Sequence, residues 1–135
     1  MASILVVDDD IAVQAVMRLL LEQDGHEDSV ASNGLKGLKT FETGNFDLLI
    51  VDIFMPGMDG LETMRIVHQQ RPDLPIIVIS GRPISSGSSD EPDFLAMATK
   101  LGAIRSLQKP FKAPALRALV RSCLEASEGS NKSAQ

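Results

Sequence analysis

Short apolar runs alternate along the chain with stretches whose apolar residues recur every three or four positions. That alternation predicts strands interleaved with helices, the pattern of an α/β parallel sheet. Strands are predicted at Ile4–Val7, about Asp28–Ala31, Asp47–Val51, Ile76–Ser80 and Ile104–Leu107. Three are nearly all apolar, as strands covered on both faces should be. The second is short and polar, with Glu27 and Asp28 at its start, which suits an edge where charge discourages pairing with other chains. A first helix is predicted from about Ile11 to Gln23, with Val13, Val16, Met17 and Leu20 on its apolar stripe and Gly25 just beyond its end. A second starts near Asn33 and stops before Gly44. A third follows Asp59, whose carboxylate can cap it, with Glu62 placed for a reciprocal capping box. The last follows Pro114, with Leu116, Leu119, Val120, Cys123 and Leu124 as its stripe.

The segment Gly81–Pro92, rich in Gly, Ser and Pro, forms a long connection before a fourth helix. Connections in such folds usually run to about 2–6 residues, so an insertion is expected, either a solvated connector or a partner contact. The tail from Ser127 is small and polar and is expected to fray, leaving residues 1–126 as one domain and 127–135 as a disordered tail. There are no internal repeats. The 135 residues, 44% hydrophobic and 23% charged, fit one globular domain with a proper core. A net charge of −5 with no basic cluster argues against a nucleic-acid partner. The single cysteine cannot form an internal disulfide, and Cys123 is expected as a small buried hydrophobe on the last helix. No apolar run reaches the roughly 18 residues of a membrane span, and no signal-peptide pattern opens the chain. A cytoplasmic location is expected.

The chemistry concentrates at predicted strand ends. Val6-Val7-Asp8-Asp9-Asp10 closes the first strand, and Val51-Asp52-Ile53-Phe54-Met55-Pro56-Gly57-Met58-Asp59-Gly60 carries a lone carboxylate out of the third. Ser80 ends the fourth strand, and Lys109-Pro110-Phe111 follows the fifth. In an open parallel sheet, ligands bind outside the carboxyl ends of the strands, where Asp8, Asp9 and Asp52 would converge. Clustered carboxylates repel, and a hard divalent cation relieves the repulsion. An all-oxygen ligand set describes Mg²⁺ better than zinc.

This order of acid pair, single Asp, Ser80 and Lys109 resembles the receiver domain of two-component response regulators over roughly residues 3–126. The resemblance implies a flavodoxin-like, doubly wound (βα)₅ sheet of strand order 2-1-3-4-5. It implies a phosphoacceptor at Asp52, charged by a sensor histidine kinase or a histidine phosphotransfer protein in a Mg²⁺-dependent reaction. Asp9 and Asp52 would ligate the ion directly, Asp8 mainly through water, and Phe54 through its backbone carbonyl. Lys109 would neutralise the phosphoryl oxygens, from a Lys109–Pro110 peptide bond held cis, and Ser80 would donate a hydrogen bond to the phosphoryl group. Such a protein catalyses only its own phosphorylation and dephosphorylation. Helix one, with Val13, Ala15 and Val16, and the strand-end loops would meet the histidine donor. The face of helix four, strand five and helix five would meet a downstream target. With no output domain after helix five, a stand-alone receiver acting by docking or phosphorelay is expected.

Three departures bear on output and lifetime. The aromatic that the family places three residues before the lysine is Ser106 here, and the chain has neither Trp nor Tyr. Phe54 and Arg82, two residues after Asp52 and Ser80, occupy positions where the family tunes access of hydrolytic water, and their bulk predicts slow loss of phosphate. Rival readings stay open at this point. Asp8-x-Asp10 resembles the acid pair of haloacid-dehalogenase-type phosphatases, although only Glu125 and Glu128 follow Lys109 as further acids. A flavodoxin-like flavin carrier would need a Ser/Thr/Gly phosphate loop where three aspartates stand. A receiver fold whose switch is lost, serving as an interaction module, is the third. His26 and His68 are too far apart for a metal site, and His68 near the end of helix three would favour its negative terminus.

Overall fold

The computed structural model describes residues 2–55, 60–81 and 98–133, with side chains as far as residue 126. Five parallel strands, β1 (Ser3–Val7), β2 (Glu27–Ala31), β3 (Leu48–Asp52), β4 (Ile76–Ser80) and β5 (Ala103–Gln108), form one sheet in the order β2-β1-β3-β4-β5. Helices α1 (Ile11–Gln23), α2 (Gly34–Thr43), α3 (Gly60–Gln70) and a C-terminal helix (Ala113–Ser133) cover its faces. The polar second strand is indeed an edge, and every strand lies within one residue of its expected bounds.

Alternation along the central strands splits the core into two layers. Leu5, Val7, Leu49, Val51, Ile76 and Val78 face α2 and α3, packing with Leu38, Phe41 and Met64. Ile4, Val6, Leu48, Ile50, Ile77 and Ile79 face α1 and the C-terminal helix, packing with Met17, Leu20, Leu116 and Val120. Each fully buried branched side chain contributes about 1.5–3 kcal/mol relative to exposure. These continuous apolar runs therefore hold the frame on which the strand ends are mounted.

Local signals act where the pattern placed them. Asp10 caps α1, accepting from the backbone amides of Ala12 and Val13, and Asn33 caps α2 through Lys36 N–H at 2.8 Å. Gly25 takes φ +83 just past α1, a conformation side-chain-bearing residues avoid. Cys123 is buried in the layer under the C-terminal helix, and burial pushes its thiol pKa up despite the nearby Arg105 charge.

Some expectations change. Val16, placed on the apolar stripe of α1, is 47% exposed, and the buried face is Met17, Leu20 and Leu21. The helix is rotated by the demands of its contact with the sheet, which outweigh a pattern that several apolar residues satisfy equally well. The C-terminal helix continues to Ser133, across the stretch expected to fray from Ser127. Once its first turns are packed, adding a residue costs little more than propagation. The β4–β5 register slips between Ile76 and Ile77, which pair with Ala103 and Arg105, so Ile104 of β5 is bulged out and 45% exposed. The Asp59 cap and most of the Gly81–Pro92 connection, Arg82 included, lie outside the described residues. Among the described residues, no helix is long and apolar enough to cross a membrane.

Candidate functional site

Strand register assembles the site. Val7 pairs with Val51, so the next residue of each strand, Asp8 and Asp52, leaves the sheet side by side. Asp8 continues the alternation of Ile4 and Val6, and Asp52 that of Leu48 and Ile50, so both belong to the α1 side. Asp52 also pairs with Ile79, and Ser80 with Gln108, which brings Ser80 and Lys109 to the same rim. The Lys109 amide donates to the Ser80 carbonyl at 2.7 Å, and the Lys109–Pro110 peptide bond is cis.

The result is a small charged cluster at the carboxyl end of the sheet. Lys109 Nζ lies 3.0 Å from Asp52 Oδ2, where it donates a hydrogen bond, and 2.9 Å from Asp8 Oδ2. The buried Asp8 Oδ2 has, among the described residues, no partner besides this ion pair, which leaves it acceptor capacity. Asp52 Oδ1 accepts from Phe54 N–H at 3.0 Å, and Asp8 Oδ1 from Asp10 N–H at 2.8 Å. Ligand oxygens of Asp8, Asp9 and Asp52 all lie within 4.8 Å of one another. Asp8, Asp52 and Ser80 are buried, whereas Asp9 is exposed.

The electrostatics follow from burial. Desolvation raises the Asp8 pKa above the usual carboxylate value, and the Asp52 charge adds to it. The Asp10 amide and Lys109 offset only part of that rise. For Lys109, burial alone would lower the pKa, but its contacts with Asp8 and Asp52 outweigh burial and raise it. The ammonium is therefore charged throughout the neutral range. One cation set against three carboxylates leaves excess negative charge, and with the open capacity of Asp8 Oδ2 this fits a hard divalent cation bound through oxygen.

Of the expected strand-end residues, Asp8, Asp9, Asp52 and Lys109 meet here, and Ser80 lies at the same rim through its backbone. Asp10 does not join them, because its carboxylate is spent on capping α1. Phe54 is half-buried and packs against the layer under α2 and α3. Ser106 lies apart, in a shallow depression of about 540 Å³ with Thr99, Ala103, Ile104 and Arg105. Pattern reading missed Gln14, whose side-chain amide donates to the Asp8 carbonyl. The available signal was a long polar side chain in the first turn of α1, one helical turn beyond the Asp10 cap.

Comparison with known proteins agrees with this geometry. The family model for the response regulator receiver domain matches residues 4–121. The alkaline phosphatase synthesis transcriptional regulatory protein PhoP of Bacillus subtilis is 32% identical over 93% of this chain and 49% of its own length. The transcriptional regulatory protein FixJ of Bradyrhizobium diazoefficiens is 30% identical over 96% of this chain and 60% of its own. The chain spans about half the length of the curated relatives it matches. Among solved structures, the CheY-like receiver domain protein of Methanospirillum hungatei superposes with a TM-score of 0.87 at 28% identity, covering 96% of this chain and 98% of that one. Vibrio cholerae CheY4 gives a TM-score of 0.82 at 28% identity, covering 92% and 99%.

Proposed function

Because the chain belongs to the response regulator receiver domain family, we propose that it accepts a phosphoryl group on Asp52 from the phosphohistidine of a sensor kinase or histidine phosphotransfer protein. The observation that carries this reading is the Lys109 ammonium bridging Asp52 and Asp8 inside the three-carboxylate cluster. Receiver domains generally bind Mg²⁺ at such an acidic pocket. Here Asp9 and Asp52 would hold the ion directly, Asp8 through water and Phe54 through its carbonyl. When bound, Mg²⁺ neutralises charge on the phosphoryl oxygens.

The chain's own groups do the rest. An Asp52 carboxylate oxygen attacks phosphorus, an O–P bond forms, the P–N bond breaks, and the histidine imidazole leaves. Lys109 shifts its ammonium from the two carboxylates to an equatorial phosphoryl oxygen, stabilising charge that grows in the transition state. Ser80 donates its hydroxyl to another oxygen. Attack by a carboxylate oxygen releases no proton, so the step needs no external base.

The donor docks along α1. Ile11, Val16 and Leu19 are exposed on that helix at 78%, 47% and 57%. A groove of about 480 Å³ between Val13, Val16, Pro110 and Phe111 opens beside Lys109. This apolar approach to a charged pocket suits a helix carrying the phosphohistidine. The signal leaves through the face of β5 and the C-terminal helix, with Ser106 in place of the aromatic readout.

The test is Mg²⁺-dependent labelling by acetyl phosphate, read on Phos-tag gels. The parent should shift and Asp52→Asn should not. A parent that never labels would favour the interaction-module reading, and sustained turnover of p-nitrophenyl phosphate would favour the phosphatase.

A further inference from the structure

We infer that Gln14 is a positioning residue for the metal-binding acid pair, acting through the Asp8–Asp9 peptide. The inference rests on the phosphoacceptor reading above and deepens it. Within the acid cluster, Asp8 and Asp52 are buried and held by amide donors and by Lys109. Asp9 is the exposed member, and among the described residues no hydrogen bond or ion pair engages its carboxylate. Its location therefore follows from the backbone that carries it.

That backbone is the turn from β1 into α1, and five bonds pin it. Asp8 N–H donates to the Ala31 carbonyl at 3.0 Å, and Asp10 N–H to Asp8 Oδ1 at 2.8 Å. The Asp10 carboxylate caps α1 through the Ala12 and Val13 amides. The fifth bond runs from Gln14 Nε2 to the Asp8 carbonyl oxygen. Among the described residues, it alone holds the peptide plane between Asp8 and Asp9. A peptide unit is rigid, so fixing its oxygen fixes the direction in which the Asp9 amide and Cα leave the strand. Gln14 is itself anchored, its N–H donating to the Asp10 carbonyl at 3.0 Å. Without the carboxamide, the Asp8 carbonyl is free to rotate toward water, and the Asp9 carboxylate swings away from Asp52.

The variant Gln14→Met keeps chain length and helix propensity and removes only the donor. Gln14→Asn keeps the amide one carbon short of the carbonyl. Isothermal titration with Mg²⁺ should give a Kd about tenfold weaker for both, the scale on which partners that orient metal ligands act. The urea midpoint in EDTA should stay near the parent's, and labelling by acetyl phosphate should regain the parental rate at saturating Mg²⁺. A Kd within about twofold of the parent in either variant overturns the inference and leaves the phosphoacceptor reading intact. A lowered metal-free midpoint with a rate that Mg²⁺ does not restore overturns it too, since that marks a purely structural role. A parent that binds no Mg²⁺ removes the underlying reading and this inference together.

Discussion

Replacing Lys109 with methionine tests the charge arrangement directly. The substitution keeps most of the aliphatic stem and deletes the ammonium that lies 2.9 Å from Asp8 and 3.0 Å from Asp52. Both carboxylates are buried, so in metal-free buffer they would face each other without a compensating cation. Removing one partner of a buried ion pair costs about 3–5 kcal/mol, because the charge left behind stays desolvated. The Lys109 side chain is 17% exposed and the pocket opens to solvent, which points to the lower end, about 3 kcal/mol. With 135 residues, the unfolding entropy near 60 °C is about 0.28 kcal/mol/K, so the midpoint should fall by about 10 °C. The deficit depends on pH. Asp8 already holds its proton to higher pH in the folded state, and losing Lys109 moves it further in that direction. The folded protein then binds more protons than the unfolded chain between the ordinary carboxylate pKa and the raised one. The deficit therefore grows as pH rises through that window and shrinks on acidification. Far-UV circular dichroism in EDTA is the assay, since the chain has no Trp or Tyr to report by fluorescence. A variant within about 0.5 kcal/mol of the parent, with no pH trend, would refute the reasoning.

Other perturbations bear on neighbouring parts of the site. Asp8→Asn keeps the acceptor for the Asp10 amide and removes a desolvated charge. Without metal it should raise the unfolding free energy read from urea titration by on the order of 1 kcal/mol, and flatten the loss of stability that the parent shows as pH rises through the window above the usual Asp value; a lower midpoint would contradict this. Gly60→Ala would set a Cβ 2.1 Å from the Asp52 carbonyl oxygen and 2.5 Å from Ile53 Cα. These are backbone atoms that cannot step aside, so denaturation should report a loss of about 3 kcal/mol with weakened Mg²⁺ binding, and a neutral result would place α3 elsewhere. Phe54→Asn should speed loss of phosphate from Asp52 about tenfold, or about 1.4 kcal/mol of barrier, in a Phos-tag time course; equal rates would remove Phe54 from the control of water access.

The fold was open to a reading of pattern alone because each strand and helix carries redundant signals. β3 and β4 are five-residue runs buried throughout, and no shift of pairing would let Leu48–Val51 face water. The caps Asp10 and Asn33 and the stop at Gly25 act within a few residues of themselves, so local sequence is sufficient. The site was legible for a different reason. Its members are end residues of parallel strands, and strand order carries strand ends into one place. What stayed hidden were choices between equivalent faces. Val16 and Leu21 are both apolar on α1, and only contact with the sheet and the C-terminal helix buries one and exposes the other. Nothing local marks Ile104 as the bulged residue of β5. The run of the last helix past Ser127 likewise depends on propagation from packed turns rather than on its own composition.

By itself, then, the chain's order of residues settled which segments are strands and which end of the sheet carries charge, because hydrophobic period and turn chemistry are short-range properties. Tertiary structure alone decided that Lys109 spans two carboxylates, that Asp10 turns away to cap a helix, and that Gln14 reaches back to the Asp8 carbonyl. Those outcomes depend on register between strands and on the rotation of α1 against the sheet. Both are fixed by long-range packing, in which a shift of one residue or a fraction of a turn changes which polar atoms meet.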